Sequence, residues 1–278
     1  MAGKATVKAT IIGCGYVGKE VARLWQQQGL TVTATTTSPE RVEELQTVAD
    51  RVQVLRGNDP GALQDCLVDQ ELVLVCVGSK GRASYEETYL GTARTLAEVL
   101  PQTQVQRLIY TSTSSVYGQH HGAVVTEETP VNPITPNGEI IAKTERTLLG
   151  LSGLKVCVLR LGGIYGPGRT LERIYGRVAG QTRPGKGDEA ANWAHRNDIV
   201  GAIAFAQDHA LSGIYNVVQD EIPTVKELID QVCQRHGLAA VHWDPTQPSK
   251  RSYSARVSNA KIKAAGYQFV HPRFFENE

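Results

Sequence analysis

The sequence predicts an α/β fold, a doubly wound sheet of parallel strands with helices on both faces and a smaller C-terminal lobe. Three observations carry that expectation. Strand-like and helix-like stretches alternate from Ala5 to Leu161. One of them, Leu72 to Val77 (LVLVCV), is continuously apolar, as a strand covered on both faces has to be. A glycine-rich turn stands between the first strand and the first helix, where α/β proteins hold phosphates.

The elements follow in order. Ala5 to Ile12 is expected as a strand. Tyr16 to Gln28 is expected as a helix, because Val17, Val21 and Leu24 share one face and Gly29 supplies a stop. Leu30 to Thr36 is β-branched and strand-like, and Arg51 to Leu55 is a short strand. Ser84 to Leu100 is a long helix closed by Pro101, and Arg107 to Ser112 is the next strand. Glu139 to Gly150 is helical and Lys155 to Leu161 a strand. Strands alternating with helices imply right-handed crossovers and a parallel sheet. Gly118 to Gly138 and Gly180 to Ala194 look loop-rich. Farther on, Asp198 to Gln207 and Val225 to Cys233 look helical and Tyr215 to Val218 strand-like. The chain is expected as a single unit, with about 1–162 mainly binding a dinucleotide and about 163–278 mainly the substrate lobe.

Composition narrows the function. The 278 residues carry Lys+Arg 29 against Asp+Glu 28, a net charge of +1. Affinity for a nucleic-acid backbone needs a surplus of cations that is missing here, so no nucleic-acid partner is expected. With 41% hydrophobic and 21% charged residues the chain is not of the disordered class. Five cysteines, widely spaced and without a CxxC, point to reduced thiols, an intracellular protein and no structural zinc. The first residues lack a signal-peptide pattern and no apolar run approaches the roughly 20 residues of a membrane span. A cytoplasmic protein without a membrane partner is expected.

The best local signal is Gly13-Cys14-Gly15-Tyr16-Val17-Gly18. Gly13 permits the tight turn, Gly15 lets the backbone approach a pyrophosphate, and Gly18 allows the helix to pack on the strand. Tyr16, Val17 and Gly18 open that helix, whose N-terminus offers unpaired N–H groups and a positive dipole end. A strand-to-helix turn without a ligand would look similar, and the strand-before, helix-after context favours the ligand. A carboxylate about 20 residues on would mark NAD(H). Here the second strand ends Thr35-Thr36-Thr37-Ser38 with Arg41 nearby, which tolerates a 2′-phosphate. NADP(H) is therefore favoured over NAD(H). Unusual residues also gather at the expected carboxyl ends of other strands: Asp59, Gly78, Thr113 to Ser115, Gly162 and Gly163. A long ligand along that edge would account for them together.

With TSTSSVYG (Thr111 to Gly118), LRLGGIYGPGR (Leu159 to Arg169) and WAHRNDI (Trp193 to Ile199) in view, the chain resembles the extended short-chain dehydrogenase/reductase superfamily, most closely its NAD-dependent epimerase/dehydratase branch. The resemblance covers nearly the whole chain. It implies a Rossmann-type domain, a nicotinamide cofactor, a small-molecule substrate and often a homodimer paired through two long helices per subunit. It implies that Thr113 hydrogen-bonds a substrate oxygen, that Lys143 holds the nicotinamide ribose, that Asp59 lies near the adenine, and that Ile164 passes the nicotinamide ring.

Two departures stand out. The turn is GxGxxG where most extended members have GxxGxxG. The family's catalytic Tyr lies four residues before the Lys, and four before Lys143 stands Glu139. A Glu there could carry a proton if burial raised its pKa, although a cationic Lys143 one turn away favours the carboxylate. It could equally form an ordinary surface Glu–Lys pair. Two functions remain: an NAD(P)-dependent oxidoreductase of the epimerase/dehydratase kind acting on a sugar-like compound through Thr113, Glu139 and Lys143, or a dinucleotide-binding sensor or scaffold without turnover. No metal site is expected, since the adjacent His120 and His121 point apart.

Overall fold

A computed structural model of the chain describes residues 6–79, 85–249 and 253–276. β1 (Lys8–Ile12) is followed by α1 (Gly18–Gln27), β2 (Thr31–Thr36), α2 (Val42–Gln46), β3 (Arg51–Val54), α3 (Pro60–Leu67) and β4 (Leu72–Val75). A π-helical turn (Glu87–Gly91) runs into α4 (Thr92–Val99), then β5 (Arg107–Thr113), β6 (Val124–Val125), α5 (Pro136–Leu149) and β7 (Lys155–Leu161). The remainder comprises β8 (Gly163–Tyr165), α6 (Leu171–Tyr175), β9 (Thr182–Pro184), β10 (Trp193–His195), α7 (Arg196–Asp208), β11 (Gly213–Val217), α8 (Val225–Arg235), β12 (His242–Asp244), β13 (Arg256–Val257) and α9 (Ala260–Ala264). The expected starts at Ala5 and Ser84 lie outside the described residues. Among the described residues no helix is long and apolar enough to cross a membrane.

Seven strands form one sheet in the order β11-β7-β5-β4-β1-β2-β3. β1 pairs in parallel with β2 and β4, β2 with β3, and β4 with β5. The chain reverses its direction of travel across the sheet between β1 and β4, and a crevice for ligands opens outside the strand ends at such a point. The four residues of β4 are all buried, which is why their sequence is apolar without alternation. α1 buries Val21, Ala22 and Trp25 and stops at Gly29, whose φ of 85° suits glycine. α2 and α3 are additions to the expected elements. α3 has a clear start in the sequence: the Asp59 carboxylate accepts the Ala62 N–H at 3.0 Å, and Pro60 opens the helix.

The chain divides into two compact units. The first comprises Met1–Ser112, Glu139–Arg160 and Val200–Ile214. Its core joins Leu63, Leu67, Val73, Val75, Leu96 and Leu108. The second comprises Thr113–Gly138, Leu161–Ile199 and Tyr215–Glu278. One of its clusters packs Tyr165, Trp193, Leu228, Ile229 and Phe274, and another packs Tyr117, Val125, Val218 and Val257. The stretches expected as loops contain short strands paired in parallel with distant partners: β6 with β13, β9 with β12, and β10 with β8. Such pairs leave no hairpin signal in the sequence.

One polar cluster in the first unit fixes α5. Glu145 is 2% and Arg160 3% exposed, and both Glu145 oxygens accept from the Arg160 guanidinium, the shortest contact being 2.7 Å. The Ser112 hydroxyl donates to Glu145 at 2.5 Å. This joins α5 to β5 and β7 in one buried charge-assisted network. The contact sets the rotation of α5. Ile141, one turn before Glu145, is 1% exposed, and Leu148 is buried. Glu139, Lys143 and Arg146 lie on the opposite, exposed face.

Removing one partner of a buried pair strands the other charge. Arg160→Met should therefore lower unfolding free energy by about 3–5 kcal/mol in urea titration, and Arg160→Met with Glu145→Leu should recover most of that loss. A cost below about 1 kcal/mol for Arg160→Met would show that the network does not hold α5.

Candidate functional site

The glycine turn sits at the switch point of the first unit. Gly13 has φ 87°, and a Cβ there would lie 2.8 Å from the Cys76 oxygen and 2.8 Å from the Val77 Cα. The turn is thus pressed against the end of β4 and admits no side chain. At Gly18 a Cβ would come within 3.0 Å of the Gly13 oxygen and 3.2 Å of Ile11 Cγ2, so the helix packs on β1 because the residue is glycine. Gly15 differs. Its Cβ position meets nothing closer than the Gly13 oxygen at 4.0 Å. The space outside Gly15 is open to a ligand and would be filled by any side chain. The three glycines therefore fit a pyrophosphate at the N-terminus of α1. Val17 is buried and structural, whereas the Tyr16 ring is 37% exposed at the mouth of the turn.

The end of β2 braces this turn. The Gly13 N–H donates to the Thr35 hydroxyl at 3.1 Å, and the Cys14 N–H to the Thr35 carbonyl at 2.9 Å. Thr35 is buried, and its hydroxyl holds the turn in shape. Thr36 is buried too and accepts the Ser38 N–H. The charged side chain that reaches the turn from this end is Arg41, which donates to the Cys14 carbonyl at 2.9 Å. Arg41 and Lys19 flank the exposed Glu44 at 3.1 and 2.6 Å. Hydrogen bonds from Lys19 and then Arg41 hold the Glu44 carboxyl below its ordinary range. Asp59 is exposed and caps α3, and Gly78 is exposed beyond β4 with nothing within 4 Å of its Cβ position. The Gly18 N–H also bonds the Cys76 thiol, which burial keeps protonated.

On α5 the two residues expected to act, Glu139 and Lys143, are both on the outer face. The side that carries Glu145 presents the buried Ile141, and Gly138, also buried, sits against Pro133 and Thr135. Sequence spacing pairs Glu139 with Lys143 correctly at i,i+4, but it carries no information on which face looks at the sheet. The buried Glu145 settles that point. Its signal in the sequence is a carboxylate between Ile141 and Leu148 on an apolar stripe, together with Arg160 inside the apolar run of β7.

In the second unit Thr113 opens a tight turn. Its hydroxyl accepts the Ser115 N–H at 3.2 Å and donates to the Ser115 hydroxyl at 3.2 Å. Ile164, half-buried on β8, gives its carbonyl to Arg169 at 2.9 Å. Arg173 likewise donates to the Gly168 carbonyl. The same unit holds His195, Asp198 and His271, whose ligand atoms lie within 4.8 Å of one another. The two imidazoles stack at 3.7 Å with 29° between planes, so their lone pairs run side by side rather than converging on one ion. Both Asp198 oxygens accept backbone N–H groups, from Val270 at 2.6 Å and His271 at 3.0 Å, and Tyr267 donates to the Asp198 carbonyl. The cluster is a clamp on the C-terminal segment. Burial, and then the neighbouring His271, lowers the His195 pKa to about 4, while burial raises that of Asp198.

The strand order and a glycine turn shaped for a pyrophosphate at the switch point define a dinucleotide-binding α/β protein of Rossmann type. The model of the NAD-dependent epimerase/dehydratase family matches residues 9–217, and the chain belongs to that family. Protein YeeZ of Escherichia coli (strain K12) is 31% identical over 237 residues, covering 83% of this chain and 84% of that protein. A conserved protein of unknown function from Silicibacter pomeroyi shares the fold with a TM-score of 0.77 and 25% identity, covering 96% and 95% of the two chains. The UDP-glucose 4-epimerase of Thermus thermophilus, solved in complex with NAD, has a TM-score of 0.77 at 22% identity, over 95% and 94%.

His195 yields a pH prediction. Its folded pKa of about 4 lies below the ordinary value of 6.5, so the fold favours the neutral ring. The associated stability is complete above pH 6.5 and is lost as the pH falls toward 4, with a limiting slope of about 1.4 kcal/mol per pH unit. Melting temperature followed over that range should fall in the wild type and fall less in His195→Gln. Parallel curves would remove His195 from the acid response.

Proposed function

We propose that the chain binds a nicotinamide dinucleotide, NADP(H) in preference to NAD(H), together with a sugar-like or small carbonyl or hydroxyl compound, as an oxidoreductase of the epimerase/dehydratase kind. The observation that carries this reading is the glycine turn braced by Thr35, open outside Gly15 and tightly packed at Gly13 and Gly18. Relatives whose names specify UDP-glucose and UDP-arabinose support the sugar-like class. When bound, the nicotinamide would supply hydride exchange with the carbon that carries the substrate oxygen. Thr113, with Ser115 beside it, would orient that oxygen. Arg41 is the reason for preferring NADP(H). It is a fixed cation between the end of β2 and the turn, and no carboxylate of β2 opposes a 2′-phosphate there.

A second reading, dinucleotide binding without turnover, is favoured by the outward rotation of Glu139 and Lys143. An exposed i,i+4 pair is worth only about 0.2–0.5 kcal/mol to a helix and needs no chemistry to explain it.

Titration by NADPH fluorescence and calorimetry separates the cofactor claims. NADP+ should bind at least about tenfold tighter than NAD+, and Arg41→Ala should weaken NADP+ by roughly tenfold while changing NAD+ less than about threefold. Equal affinities in the wild type would overturn the NADP(H) preference. Absorbance at the nicotinamide band, followed with a panel of nucleotide sugars and small carbonyl compounds, decides between the two readings. Turnover that falls with Thr113→Ala supports the oxidoreductase, and tight binding without turnover across the panel supports the second reading. Loss of NADPH binding in a folded Lys143→Ala protein would assign the exposed Lys143 to the dinucleotide site.

A further inference from the structure

A dinucleotide that crosses the switch point lays its adenosine half over β2 and its nicotinamide half over β4 and β5. In the first unit the adenosine side has Arg41 and the pyrophosphate has the glycine turn. On the other side Lys143, to which the resemblance assigns the ribose, is exposed on α5, and Ile141 is buried. The helix next to it, which follows β4, is irregular at its start. Glu87–Gly91 form a π-helical turn, and Tyr89 is its middle residue. Such turns occur mostly as single insertions and are frequent at functional sites.

Tyr89 is half-buried, and its ring lies 4.5 Å from that of Tyr85 at 42°. Its phenol is tied to the carboxyl end of β4, because the backbone N–H of Ser79, next to Gly78, donates to the Tyr89 oxygen. A phenol that accepts one hydrogen bond still has its own proton to donate. Burial raises the phenol pKa of both rings, that of Tyr85 to about 12, so each keeps its proton at neutral pH.

We propose that the Tyr89 hydroxyl donates to the nicotinamide-side ribose of the bound dinucleotide, so that the holding contact comes from the π turn before α4 and not from α5. The inference rests on the dinucleotide reading above. The Ser79 N–H sets the position of the phenol oxygen, and the Tyr85 ring limits rotation of the Tyr89 ring. Tyr89 acts as a donor that holds a ribose hydroxyl, and no proton leaves it.

The test uses the whole protein, with NADPH and with 2′,5′-ADP, which carries only the adenosine half. Tyr89→Phe keeps the ring and removes one oxygen. Its Kd for NADPH should rise by about tenfold, as for the loss of one well-formed hydrogen bond, and its Kd for 2′,5′-ADP should stay within about twofold of the wild type. Tyr85→Phe should change neither by more than about twofold. Unchanged NADPH affinity in Tyr89→Phe overturns the inference while leaving the dinucleotide reading intact. Equal weakening of both ligands also overturns it, since the residue would then act through the shape of the turn. A wild-type protein that binds neither ligand defeats the dinucleotide reading itself and the inference with it.

Discussion

The buried pair of Glu145 and Arg160 determines how the rest of the first unit can be used. Two full charges within 3% of complete burial are stable only because the guanidinium binds both carboxylate oxygens and Ser112 supplies a further donor. The geometry tolerates little rotation. A turn of α5 by a single residue would move Glu145 out of the network and bring a neighbour into a site made for a carboxylate. The buried face is therefore Ile141, Glu145 and Leu148, and the exposed face is Glu139, Lys143 and Arg146. A structural charge pair thus decides which side chains of α5 are buried and which are exposed.

The glycine turn shows the same dependence of function on packing. Gly13 and Gly18 are required by the protein itself, because a Cβ at either would strike backbone or the side chain of Ile11. Gly15 is not so constrained, and its open flank has meaning only if something approaches the backbone there. Thr35 belongs with the first pair. Its hydroxyl accepts the Gly13 N–H and so helps to shape the turn, and the charged residues lie beyond it. Arg41 already has Glu44 as a neighbour, and a 2′-phosphate would compete with that carboxylate for the same guanidinium.

Much of this was legible in the sequence because local physics and the fold agree. The apolar β4, the turn between β1 and α1, and the stop at Gly29 each follow from residue type and spacing. β7 begins and ends where its pattern does. What the spacing could not supply was rotation and long-range partnership. Glu139 and Lys143 are correctly one turn apart, yet their direction depends on Glu145 meeting residues 15 and 33 positions distant in the chain. The short strands of the second unit pair with partners far along the sequence and carry no turn signature. The π turn at Tyr89 is likewise invisible to a periodicity search, which registers only a long helix.

These placements bear on the kind of chemistry the first unit can supply. A phenol beside a cationic Lys loses its proton readily and can serve as a base. A phenol at Tyr89, with burial acting against the phenolate and only a backbone N–H to favour it, stays protonated and can hold an oxygen without taking a proton from it. The outward Lys143 cannot change that balance, and Glu145 is already bound to Arg160. Of these groups, neither the protonated Tyr89 nor the paired Glu145 is a ready proton acceptor. If a substrate hydroxyl is oxidised on this protein, water, Glu139 and the residues that end and follow β5, beginning with Thr113 and Ser115, are the groups to test as the one that receives its proton.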